Sequence, residues 1–351
     1  MDSIPKDRIL ETKPDILMAI RKEYNLDKPG QMKEAINILH EWVQKQKHFK
    51  KKDFNRFYLE LVIIGCKGSI ERAKKQIDKI CTMRTLLPQF FEVCNVKTDL
   101  GNLHEIIYAL TFPKLTDDYH RVFFSKYFDK AIKPSQIMDH YKYVIVLTEY
   151  VKNHDYFNGL IVILDFSEAN LVDYLSKVSV TELRQLMSIV IEGYGLRIQA
   201  IHIVSPSKIV SSLVAIFNQI LSSKVAGRIQ VHKNIEEVHK HVPKEVLPED
   251  IGGTERSLKE IQSAWLDALS SEEHLNHMRV MNAAGTDEDL RPKDCFNDLY
   301  TGMPGTFRWK QQNAANSQPV HQMSVISIKY SAGSWLKNCI VSIKYLLNNI
   351  Y

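Results

Sequence analysis

A chain of 351 residues is long enough for about two domains and a sizeable core, which excludes a small disulfide-stapled fold. Hydrophobic residues at 44% and charged residues at 25%, with only 14 Gly and 12 Pro, exclude the collagen, low-complexity and disordered classes. The net charge of +5 is too slight to imply nucleic-acid binding, so any anionic partner must be met by a local patch.

The first 30 residues are read as an N-terminal segment. From residue 31 to 86 the pattern is helical: Met32, Ala35, Ile36, Leu39, Trp42 and Val43 form one apolar stripe at three-and-four spacing. A second helix carries Phe54, Phe57, Tyr58, Leu61 and Val62 and ends near Gly65. A third starts at Ser69 and buries Ile70, Ala73, Ile77 and Ile80. The intervening HFKKKD reads as a solvated loop.

After Pro88, β-branched runs alternate with helical stretches, which predicts α/β architecture with a mostly parallel sheet. Strands are predicted over 121–126, 159–166, 196–204 and 228–232. The segment 135–151 fits strand or helix by period, and its length favours helix. Ser179-Val-Thr-Glu182 is a capping box opening a helix with Leu183, Leu186, Met187, Val190 and Ile191 on one face, stopped by Gly193 and Gly195. Ser205 and Pro206 are predicted to cap and open a helix from Ile209 to Leu221 that is apolar over most of its circumference. One amphipathic helix is expected over 257–275 and a polar loop over 285–303. Trp335, Leu336, Ile340, Ile343, Leu346 and Leu347, mixed with Lys337 and Lys344, read as an amphipathic membrane-surface helix or as a divergent, disordered tail.

Nucleotide-loop, zincin and nucleophile-elbow motifs are missing, so no enzyme activity is predicted. The five cysteines (Cys66, Cys81, Cys94, Cys295, Cys339) lie far apart without a C-x-x-C pair, predicting reduced thiols, an intracellular protein and no metal site. The start, MDSIPKDRILETK, lacks the apolar core of a secretory signal, and the cytosol is the expected address. Asp165, His202 and Ser205 near strand ends resemble a nucleophilic set. A strand-end carboxylate more commonly binds loop amides, however, and a strand histidine a backbone carbonyl. Periodicity alone cannot tell a filled interior from a hollow one.

The stretch from GLIVILDFSEANL to LPEDIGGTERSL resembles the CRAL-TRIO lipid-binding family. The strand ending in Asp165, the order Arg197-Ile-Gln-Ala-Ile-His202 and the closing Leu247-Pro-Glu-Asp-Ile-Gly-Gly253 are its most specific pieces, and the texture is closest to the tocopherol-transfer-like members. The resemblance covers about residues 31–308. It implies a helical N-terminal domain over 31–88, a lipid-binding domain with a mobile gate helix over 89–256, a C-terminal helix and extension over 257–308, and a divergent tail over 309–351. It also implies a monomeric cytosolic carrier, peripherally and transiently associated with membranes, that needs no cofactor and holds one tocopherol, retinoid, carotenoid or phospholipid beneath a gate at Pro206–Leu221. Lining positions implied by the resemblance are Leu160, Val162, Leu164, Leu186, Ile189, Val190, Ile201, Leu213, Ile216 and Phe217. Burying ten methylene equivalents at ~0.8 kcal/mol each gives ~8 kcal/mol, of micromolar order. A basic cluster for phosphatidylinositol bisphosphate is implied at Arg197, Lys224 and Arg228, although Gln199 replaces one basic residue and FYLELVIIGC replaces an Arg-containing segment. A non-catalytic signalling or scaffold module with a vestigial pocket is the other reading.

Overall fold

The computed structural model describes residues 4–292. The predicted tail and most of the predicted 285–303 loop, with Cys295 and Cys339, lie outside the described residues; Cys66, Cys81 and Cys94 are free thiols.

The three expected N-terminal helices are α2 (Gln31–Lys45), α3 (Arg56–Gly65) and α4 (Ile70–Leu86). The α2 stripe is buried except Trp42, which lies at its half-buried edge. Asn55 caps α3 by accepting the Tyr58 N–H (2.6 Å), and Phe57 to Ile64 are all buried. That run includes Glu60, whose carboxylate takes Arg21 at 2.7 Å and the Tyr156 hydroxyl at 2.9 Å, as a buried charge requires.

The N-terminal segment holds an unforeseen helix, α1 (Ile16–Glu23), and docks through buried Ile9 and Leu10. Arg121, fully buried in a strand, fixes this segment: it pairs with Asp155 through two 2.7 Å bonds and donates to the Glu11 carbonyl at 3.1 Å. A second buried ion pair, Arg84 with Glu149 at 3.2 Å, joins α4 to α6 (Pro134–His154), so the ambiguous segment is a helix.

A helical turn, α5 (Leu103–Ile106), leads into a five-stranded sheet in the order β1-β2-β3-β4-β5. Strands β2 (His120–Tyr127), β3 (Gly159–Asp165), β4 (Ile198–Val204) and β5 (Ile229–His232) are parallel and fall where the sequence predicts. The nearly continuous apolar run of β3, the central strand, suits a sheet covered on both faces. The antiparallel edge strand β1 (Ile107–Thr111) was not expected. Helix α7 (Leu171–Lys177) follows β3, and α8 (Val180–Ser188) continues into a π-helical turn, Ile189–Gly193. Ser179 accepts the Glu182 N–H at 3.3 Å, one half of the predicted capping box. Gly195 is left-handed (φ 68°), and a Cβ there would collide with Gln76, so this turn needs glycine.

Two expected helices differ. The helix after β4 starts at Val210, not Pro206: Ser205 Oγ accepts the Ser207 N–H (3.3 Å) in a local turn, and α9 spans Val210–Ile220. It is followed by α10 (Ser223–Ala226). The expected 257–275 helix is two helices, α11 (Leu258–Leu269) and α12 (Glu272–Asn282), because Ser271 accepts the His274 N–H (3.3 Å) and restarts the chain with Glu272 and Glu273 in the first turn. Buried Trp265 donates to the Thr111 carbonyl (2.8 Å), locking α11 to β1. The described residues belong to one compact unit, and among them no helix is long and apolar enough to cross a membrane.

Candidate functional site: an apolar cavity and a cationic cleft

Between the sheet and α9 lies an apolar cavity of about 130 Å³. Strand pleating turns Leu160, Val162 and Leu164 of β3 and Ile201 of β4 toward it. The α8 face supplies Leu186 and Val190, and α9 closes it with Leu213, Ile216 and Phe217. Ile189, the remaining predicted lining residue, is fully buried but outside the lining; it opens the π-helical turn, where the face of the helix shifts. Helix α9 has no charged residue, buries Leu213 and Phe217, and exposes Ser211, Ser212, Asn218 and Gln219. Apolar, non-directional contact therefore holds it down.

Helix α6 adds lining that sequence reasoning missed: His140, Tyr141, Val144 and Thr148. Its buried positions lie on several faces, so periodicity did not show which one turned toward the cavity. Burial holds the His140 imidazole down to about 4, so it is neutral at pH 7. It lies 3.4 Å from the Tyr127 hydroxyl. The buried Tyr141 hydroxyl has no hydrogen-bond partner among the described residues. The cavity is thus greasy, with a few polar groups supplied by α6, by Tyr127 of β2 and by Tyr174 of α7.

A cleft of about 780 Å³ opens beside it, lined by Lys67, Arg72, Lys75, Lys79, Arg197, Lys224 and Arg228 against Glu23, Asp78 and Glu192. The three predicted basic residues all lie here, but two are engaged. Arg197 donates to the Tyr24 hydroxyl and to Asn158, with its guanidinium 5.1 Å from the Tyr24 ring centre. Arg228 donates to the Ile198 carbonyl and to Gln199 Oε1 (3.5 Å). Lys79 is paired with Glu192, and Asp78 is occupied by Arg291 (2.8 Å) and His48 (3.0 Å). Exposed Lys67, Arg72, Lys75 and Lys224 form no ion pair among the described residues. Arg72, Lys75 and Lys79 recur at three-and-four spacing along α4, a signal available in the sequence. Ile191, Leu196 and Ile198 line both cleft and cavity, so the two share a wall.

Asp165 Oδ1 accepts the Ser167 N–H (2.9 Å), the loop-amide role expected of a strand-end carboxylate. His202 does not bind a backbone carbonyl: its Nδ1 lies 2.9 Å from Nε2 of His232. Burial, with His232 and His241 alongside, holds the His202 imidazole down to about 4.

Residues 28–100 match the Pinta-like, UBA domain model, and residues 108–253 match the CRAL/TRIO domain model. Alpha-tocopherol transfer protein-like of Mus musculus is 29% identical over 98 residues, and its Homo sapiens counterpart 28%; the match covers 28% of this chain and 28% of each relative. The crystal structure of Sfh5 aligns with a TM-score of 0.46 at 12% identity, covering 78% of this chain and 99% of that one. Residues 108–253, somewhat under half of the chain, are thus similar to the CRAL/TRIO domain.

Proposed function

We propose that the protein is a non-catalytic, monomeric carrier in the cytosol that holds one hydrophobic lipid under α9 and passes it between membranes, docking transiently through phosphoinositide headgroups in the cationic cleft. One observation carries this reading: an apolar cavity and a cleft lined mostly by basic residues share the wall Ile191, Leu196 and Ile198. A lipid tail and a headgroup phosphate thus meet the protein at adjoining surfaces. The family resemblance supports tocopherol, a retinoid, a carotenoid or a phospholipid as cargo, and the hydroxyl of Tyr141 favours a cargo with one hydrogen-bonding group.

The cavity of about 130 Å³ is smaller than the roughly 300–1,000 Å³ of ordinary ligand pockets. Loading therefore requires α9 to move outward, which its purely apolar seating allows. The same small volume favours a second reading, a scaffold module whose pocket has closed. One experiment separates them: purified protein is tested for an extractable lipid by native mass spectrometry and for transfer of tocopherol, a retinoid, a carotenoid and phosphatidylcholine between vesicles. Retention or accelerated transfer supports the carrier; neither, with any cargo, rejects it.

A further inference from the structure

Three histidines from distant parts of the chain converge on the side of the sheet opposite the cavity. His202 in β4 is in register with Ile163, so it faces away from cavity-lining Val162, Leu164 and Ile201; His232, the last residue of β5, shares its face. His241 follows the 3₁₀ turn Ile235–Lys240. The ring centres are 4.9, 5.1 and 5.5 Å apart, and one nitrogen from each ring lies within 4.8 Å of the other two. A tetrahedral Zn²⁺ about 2.0–2.1 Å from each nitrogen would set those nitrogens about 3.3 Å apart. That separation falls between the 2.9 Å of the His202–His232 pair and the 4.8 Å limit, so small side-chain rotations complete the set.

A carboxylate stands behind one of the three rings. Glu237 Oε2 lies 3.7 Å from His232 Nδ1, leaving Nε2 to face the cluster. Glu237 is itself placed, its carboxylate accepting the Lys233 N–H at 3.2 Å and its own N–H reaching Asn234 Oδ1 at 3.2 Å. A carboxylate behind a ligand histidine orients the ring and raises its basicity. His202 and His232 are buried, whereas His241 is exposed and gives an entry path.

We propose that His202, His232 and His241 form a three-histidine Zn²⁺ site with water in the fourth position, clipping β4, β5 and the turn beyond β5 together. Imidazole-only ligation suits Zn²⁺, Cu²⁺ or Ni²⁺ rather than Ca²⁺ or Mg²⁺. The site would tie together the C-terminal ends of the parallel strands β4 and β5, the first of which leads toward α9.

The test uses the full chain, free of any affinity tag and stripped with chelator, titrated with Zn²⁺ against a chromophoric competitor. One equivalent should bind. Exposed His241→Ala should keep the fold and weaken binding at least tenfold, and Glu237→Gln should weaken it roughly 10-fold to 100-fold. Co²⁺ should give the intense visible bands of four-coordinate cobalt in the parent and not in His241→Ala. Zn²⁺ should raise the unfolding temperature of the parent only. The proposal is overturned if the parent shows no saturable binding, if it binds no more tightly than His241→Ala, or if its cobalt spectrum is that of the hydrated ion.

Discussion

Docking charge is best tested on cations that the fold does not itself use. Arg197 and Arg228 are tied to Tyr24, Asn158 and the Ile198 carbonyl, so their removal would disturb structure as well as charge. Arg72, Lys75 and Lys224 are exposed, line the cleft and have no ion-pair partner among the described residues. Each basic residue near an anionic membrane contributes about 1 kcal/mol. Replacing all three by Gln should therefore remove about 3 kcal/mol, a loss on the order of 100-fold in partitioning. The assay is co-sedimentation with vesicles of phosphatidylcholine containing phosphatidylinositol bisphosphate, with pure phosphatidylcholine as reference. The unfolding temperature should stay unchanged, and raising salt should shrink the difference because exposed charges are screened beyond about 8 Å at physiological ionic strength. If the triple variant sediments as the parent does, the cleft is not the docking surface.

Glu149→Gln leaves Arg84 buried without its counter-charge and should cost about 3–5 kcal/mol in urea unfolding; a loss under about 1 kcal/mol would mean that the pair is not sealed from water. Phe217→Ala enlarges the space under α9 and should cost about 3–5 kcal/mol without cargo, and a bound lipid should restore part of that; an unchanged denaturation midpoint would show that α9 is not seated there. Acid should destabilise the protein from pH 6.5 toward 4. Burial depresses His140 and His274 from the ordinary 6.5 to about 4, with His277 adding to the effect on His274, so the unfolded chain binds more protons in that window and stability falls with pH. Urea midpoints that stay level between pH 7 and 4.5 would contradict this. A further loss should follow below pH 4.5: burial opposes ionisation of Glu149, but Arg84 prevails and pulls the carboxyl down to about 2, so its contribution fades as pH falls toward that value.

The inner strands β3 and β4 were legible because β3 is an apolar run up to Asp165 and β4 is rich in β-branched residues, and α2 to α4 because their stripes agree with the helical period. The edge strand β1 was not, because its five residues directly follow a helical turn at Leu103–Ile106 and carry no separate boundary signal. Ser205-Pro206 satisfies the local rule for a helix start, but Ser205 spends its hydroxyl on Ser207 and the helix begins four residues later than Pro206. The lining positions named on β3, β4, α8 and α9 were implied by the resemblance alone. Those on α6 were not legible, because that helix is buried on several faces at once. The histidine cluster was invisible: its members are 30 and 9 positions apart, and only the pairing of β4 with β5 makes them neighbours.

The partition made by Ile191, Leu196 and Ile198 has a thermodynamic corollary. Any guest that displaces these three side chains from within reshapes the floor seen by an anion outside, and the reverse holds. Equilibrium linkage makes the two effects equal: if cargo changes headgroup affinity by some factor, the headgroup changes cargo affinity by that same factor. In a carrier that works as proposed, a single layer of three aliphatic side chains would then make membrane contact and cargo retention report on one another.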